Sequence, residues 1–304
     1  PRPLALAPRE AGHAADHGAS GAGGNQAGTR LRYLCATLSA INHRQFYMTT
    51  GVPERPLQIE HADLSLIGHR EENQDRVAIA DADGTVMLAV VDGMGGHADG
   101  ARAAEVAMRA MLNEFWEMSR PLFDPEGFLH LTVGRAHEAV VALGQGLPPE
   151  IRPRATCALC LVQGSSAYWA HVGDSRIYQL RHGKVFHRTR DHSHVELLVR
   201  AGRITEHQAQ GHPMRNYVEC CIGGDPALPE MTLSGRRALA SGDVLMLCSD
   251  GLWSGLGDEP LASLSTSPSD HLREALVALG EQAVSNSAPY ADNTSAAAIR
   301  WLGP

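Results

Sequence analysis

Carboxylates at the ends of apolar runs are the residues of this sequence best suited to chemistry. Val90-Val91-Asp92-Gly93 delivers an acid from a buried run into Met94-Gly95-Gly96, a stretch too rich in glycine to shield it. A cation there can take the carboxylate together with a backbone carbonyl. Leu247-Cys248-Ser249-Asp250-Gly251 is built the same way, and Ala291-Asp292-Asn293-Thr294 stands just before the last apolar run. Hard oxygen ligands without a convincing histidine or thiolate set favour Mg²⁺ or Mn²⁺ over zinc or copper. Two such ions sharing one carboxylate lie about 3.5–4 Å apart and lower the pKa of a water between them, which makes hydroxide available at neutral pH. Arg70, in Gly68-His69-Arg70-Glu71-Glu72-Asn73-Gln74-Asp75, offers a guanidinium fork that matches two phosphate oxygens. Asp75 is placed to orient metal-bound waters. Taken singly, an Asp-Gly pair is more often a plain turn, so the weight rests on the joint order of these stretches.

Other candidates have blander readings. Cys157 and Cys160 spell C-x-x-C, but on a strand residues three apart face opposite ways, so the pair packs in the core and binds no shared ion. Cys220 and Cys221 are also read as packing residues. His187, His192 and His194 are explained by a solvated polar segment, and His97 by a plain loop.

The elements that must position the acids alternate in period. Strand patterns cover 63–67, 76–81, 85–92, 156–163, 166–172, 176–181, 184–188 and 243–249, many at hairpin spacing. Helix patterns cover 100–118, 127–143 and 271–285, with a short helix at 195–201. Antiparallel strands and helices in separate layers give an α+β fold in which two sheets pack face to face under flanking helices. Residues 190–237, rich in His, Arg and Gly, are expected to form a mobile flap. Residues 1–50 lack sustained apolar periodicity and are expected to be a disordered extension, and Met48 suggests that residues 1–47 lie upstream of the native start.

With 304 residues, 43% of them hydrophobic, the chain can build one large core. A net charge of −8 provides no basic field for nucleic acid or an anionic membrane. No apolar run is long enough to span a bilayer, and charged residues near the start interrupt any secretory signal. A cytoplasmic protein acting as a monomer, with reduced thiols, is the expectation.

The five stretches together resemble the protein phosphatase 2C family of metal-dependent serine/threonine phosphatases, bacterial type, over about 57–302. The resemblance implies a four-layer α-β-β-α sandwich and hydrolysis of phosphoserine and phosphothreonine in proteins, opposing a serine/threonine kinase. It also assigns roles. Arg70 binds phosphate and Asp75 contacts metal through water. Asp92 bridges two Mn²⁺ or Mg²⁺ ions, and the Gly93 carbonyl binds one of them. Asp250 and Asp292 complete the first ion. Asp174, in Gly173-Asp174-Ser175-Arg176, binds a third, weaker ion. Asp191-His192-Ser193 with the segments that follow matches the family's flap, which shapes substrate access. Met94 occupies the position that is His in many eukaryotic members, so the donor of the leaving-group proton is open. A non-catalytic phosphopeptide-binding module of the same fold and a hydrolase of small phosphate esters remain as rival readings.

Overall fold

The computed structural model describes residues 57–94 and 98–303, all within one compact unit. The expectations for residues 1–50 and for His97 lie outside the described residues. Along the chain come β1 (Gln58–Leu66), β2 (Asp75–Ala82), β3 (Thr85–Met94), α1 (Ala98–Glu117), α2 (Pro125–Leu143), β4 (Arg154–Ala155), β5 (Cys157–Gln163), β6 (Ser166–Val172), β7 (Arg176–Arg181) and β8 (Lys184–Arg188). They are followed by α3 (His194–Arg200), α4 (Glu206–Gln210), β9 (Ile222–Gly223), β10 (Thr232–Leu233), β11 (Arg237–Ala238), β12 (Val244–Cys248), α5 (Asp250–Leu256), α6 (Asp258–Ala262), α7 (Leu272–Asn286) and β13 (Thr294–Gly303).

Two antiparallel sheets result. One runs β1-β13-β12-β7-β8; the other has the path β10-β6-β5-β3-β4-β9, with β2 on β3 and β11 on β6. Strand β3 explains why they stack. Met87, Ala89 and Val91 face the core under α1 and α2, while Val86, Leu88 and Val90 meet Leu245, Leu247, Ala297 and Ile299 of the other sheet. The outer face of that second sheet, with Tyr178, Leu180, Val244 and Met246, is sealed by Leu252 of α5 and Leu276 of α7. The order is therefore helix, sheet, sheet, helix. Both sheets are covered on both faces, so their strands lose the apolar-polar alternation of a half-wet sheet.

Cys157 and Cys160 divide between the helix-side and inter-sheet cores, as the strand geometry requires. β1 begins five residues earlier than its pattern indicates and pairs along its length with β13, a central strand of Ala, Ile and Trp that the strand patterns did not include. The helices α5 and α6 were likewise not anticipated.

Candidate metal centre

The antiparallel topology brings the acids to one end of the sandwich. β2 begins at Asp75, which lies directly opposite Asp92, two residues before β3 ends. β12 ends at Cys248, just before Asp250; β13 starts just after Asp292; β6 ends two residues before Asp174. Strands that alternate in direction place ends and beginnings side by side, so Asp75, Asp92, Asp174, Asp250 and Asp292 come to one end of the sheets.

Close backbone approach makes room for this. Gly68 has φ +63°, and a Cβ there would stand 2.2 Å from the Asp292 carbonyl oxygen; His69 N donates to Ala291 O at 2.9 Å. The Arg70 loop is thus laid directly on the strand entrance that carries Asp292. Asn293 fastens it: its side-chain amide donates to Ile67 O and Glu72 O, and its Oδ1 accepts from Gln74 N. At Gly93 a Cβ would meet the Gly100 carbonyl oxygen at 2.0 Å, so only glycine lets the start of α1 press against the strand bearing Asp92.

The acids repel one another. Burial, then the charges of Asp75, Asp250, Asp174 and Asp292, hold the Asp92 carboxyl well above its ordinary range. Burial, then Asp174, Asp292 and Asp75, do the same to Asp250, with Arg70 opposing. Asp75 is pushed up to about 6 by burial, against the hydrogen bond from Ser249, and Asp174 to about 7 by burial and Asp191. Buried acids that shift one another belong to one cluster. Arg70 answers only in part, since its Nη2 donates to Asp292 Oδ2 at 2.6 Å in an exposed contact. Asp75 Oδ1 is buried without a partner among the described residues. An excess of buried carboxylates with an unsatisfied oxygen fits divalent cations. Among the described residues no three His, Cys, Asp or Glu side chains close into a cage by themselves.

Asp174 is held through its main chain. Trp253 Nε1 donates to Asp174 O at 3.0 Å, His192 N to Gly173 O at 2.9 Å, and Ser175 Oγ pairs with Thr156 Oγ at 2.7 Å. Thr156 exchanges hydrogen bonds with the Asp92 main chain at 2.8 and 3.3 Å, which ties the two acid-bearing turns together. His192 stacks on His171 and reaches Thr232, His194 binds Glu219, and His187 lies beside Arg237, so these histidines face different partners.

The family model for protein phosphatase 2C matches residues 65–288. The chain belongs to the protein phosphatase 2C family. It is 33% identical over 192 residues to the serine/threonine protein phosphatase PstP of Mycobacterium tuberculosis, a match covering 63% of this chain and 36% of that one. The chain therefore spans little more than a third of PstP. With the protein phosphatase PhpP of Streptococcus pneumoniae it shares 32% identity over 212 residues, 65% of this chain and 80% of the relative. Among protein phosphatase 2C structures, the PstP catalytic domain in complex with two manganese ions superposes with a TM-score of 0.67 at 28% identity, covering 80% of this chain and 98% of that one.

Asp75, Asp92, Asp174 and Asp250 lie within electrostatic reach of one another and of Asp292. Thr156, Ser249, Trp253 and Asn293 were not assigned roles from the sequence. Asn293 and Ser249 adjoin the acids in the Asp-Asn and Ser-Asp motifs, a usable signal. Nothing in the sequence separates Trp253 from an ordinary core aromatic.

Proposed function

We propose that this chain hydrolyses phosphoserine and phosphothreonine monoesters of proteins, with Asp92, Gly93, Asp250 and Asp292 holding two Mn²⁺ or Mg²⁺ ions and Asp174 a third, weaker one. One observation carries the reading: four carboxylates, Asp75 and Asp174 buried and Asp92 and Asp250 partly so, are raised by desolvation and mutual repulsion at one strand-end edge beside a phosphate-matching arginine. When bound, the divalent cations supply Lewis acidity and a water of lowered pKa. Asp92 and Asp250 supply negative charge that would retain cations. Asp75 presents its free Oδ1 to ordered water. Arg70 sits at the exposed rim, where its fork can leave Asp292 for two phosphoryl oxygens and stabilise the charge of the group in flight.

Direct attack by water, with no phosphoenzyme, is the fitting route. The thiol of Cys157 is pushed up to about 12 by burial, and Cys248 is raised further, so neither is a thiolate at neutral pH. Met94, half-buried at the end of β3, has no proton to give, so the donor to the leaving alkoxide is not at that position.

The finer expectations belong to the same proposal. Residues 57–302 form the catalytic domain, with about 190–237 as its flap, and 1–50 are an N-terminal extension. The substrates are phosphoproteins made by a serine/threonine kinase, and the enzyme works in the cytoplasm as a monomer. Among the described residues no helix is long and apolar enough to cross a membrane.

Asp250→Ala tests the reading. The variant should keep the wild-type circular dichroism spectrum and lose at least about 100-fold of its Mn²⁺-dependent turnover of p-nitrophenyl phosphate. Activity indifferent to that change, or to EDTA, overturns the assignment. Preference for nucleotides over phosphopeptides in a substrate panel moves it to the small-ester class.

A further inference from the structure

Ser249 is the N-cap of α5, and its side chain does not cap the helix. Serine is favoured at that position because its oxygen accepts from the second or third helical N–H. Here the oxygen is turned away into the protein, where Ser249 is fully buried. Its Oγ accepts from Ser295 N at 3.0 Å while Ser249 N donates to Ser295 O at 3.0 Å, which locks the residue to β13. With that lone pair taken, the hydroxyl hydrogen goes to Asp75 Oδ2, the nearest acceptor at 2.7 Å; the Asn293 and Ser295 carbonyls lie at 3.5 Å.

The bond crosses the sandwich. Asp75 opens β2 in one sheet and Ser249 follows β12 in the other, so the hydroxyl ties the two sheets at the end where the acids meet. It also fixes the carboxylate plane. With Oδ2 held by Ser249, Oδ1 is buried and meets no donor at good hydrogen-bond geometry among the described residues, although the Ser295 and Asp92 side chains lie close to the carboxyl. That oxygen is the one left for a ligand.

We propose that Ser249 is a positioning residue for the metal centre: it gives up its helix cap to hold Asp75 in the one orientation that presents Oδ1 to a cation-bound water. This rests on the metal reading of the site. Hydrogen bonds that orient a carboxylate beside a metal are worth about 10–100-fold in affinity or activity.

The test compares full-length wild type, Ser249→Ala and Ser249→Thr by Mn²⁺ titration calorimetry, at a temperature where circular dichroism shows each fully folded. Kinetics on p-nitrophenyl phosphate accompany the titration. Ser249→Ala should bind Mn²⁺ about 10-fold more weakly. Its kcat at a fixed sub-saturating Mn²⁺ concentration should fall, with KM for the ester within about twofold of wild type, because the substrate-binding fork is untouched. Ser249→Thr keeps the hydroxyl and should recover most of the affinity. An alanine variant that melts lower yet binds Mn²⁺ and turns over like wild type overturns the assignment, since Ser249 is then only a structural tie. So does a threonine variant that folds but binds as weakly as alanine. A wild-type chain that takes up no Mn²⁺ removes the metal reading itself, and this proposal with it.

Discussion

Arg70 separates binding from folding at the level of one residue. Its ion pair with Asp292 joins side chains that are 56% and 37% exposed, and such pairs contribute less than about 1 kcal/mol. Arg70→Ala should therefore leave the melting temperature within about 3 °C of wild type, while kcat/KM on a phosphopeptide falls at least about 10-fold. Arg70→Lys should recover only part of that loss, because an ammonium cannot form two parallel hydrogen bonds. An Arg70→Ala variant that keeps the wild-type kcat/KM on the phosphopeptide would count against the role. The acids were legible in sequence because they flank apolar runs, and a strand end is where a carboxylate escapes the core; Arg70 was legible as a guanidinium in the polar stretch that leads to Asp75. Ser249, Thr156 and Trp253 were not, because their work consists of hydrogen bonds to segments 19 to 174 positions away. No local pattern records such partners.

At the scale of elements, the flap root is the joint to test. Asp191 holds Arg176 through two hydrogen bonds of 2.8 and 2.7 Å, both side chains are nearly buried, and the guanidinium stacks on the Trp253 ring at 3.5 Å. Trp253 in turn holds the Asp174 carbonyl. One guanidinium thus fastens the segment entering α3 to the start of β7 and to α5. Asp191→Asn leaves Arg176 buried without its main countercharge, which should cost about 3–5 kcal/mol. The measurable results are a lower denaturant midpoint and faster tryptic cleavage at exposed Arg200 and Arg203, the latter before global unfolding. Unchanged cleavage at an equal denaturant midpoint would mean that the flap is anchored elsewhere. Elements with a clean period were visible in sequence: α1 and α2 begin within two residues of their patterns. β13 was missed because a central strand buried on both faces, here with Ala296, Ala297 and Ala298 in a row, shows no alternation. α5 and α6 are too short, at 7 and 5 residues, to display a helical stripe.

For the whole molecule, the acid cluster makes stability depend jointly on pH and metal. Asp75 titrates near 6 and Asp174 near 7 in the fold, against an ordinary value of 3.8, and Asp92 and Asp250 are also raised. From about pH 4 to 7 the metal-free native state keeps protons that the unfolded chain has released, so these groups lower stability as pH rises through that window. His171 works in the other direction. Burial depresses it to about 4, so between about 4 and 6.5 its contribution to stability grows with pH. The metal-free melting curve mixes the two trends, but His171 is common to the metal-free and metal-loaded forms, and the difference between them isolates the acids. Cations bind only the deprotonated carboxylates and remove the repulsion that raised them. The rise in Tm produced by a fixed excess of Mn²⁺ should therefore be small at pH 5 and larger by at least about 5 °C at pH 8. EDTA should abolish it, and Asp250→Ala should flatten its pH dependence. A Tm increment that is equal at pH 5 and pH 8 would mean that Mn²⁺ binds somewhere other than these carboxylates.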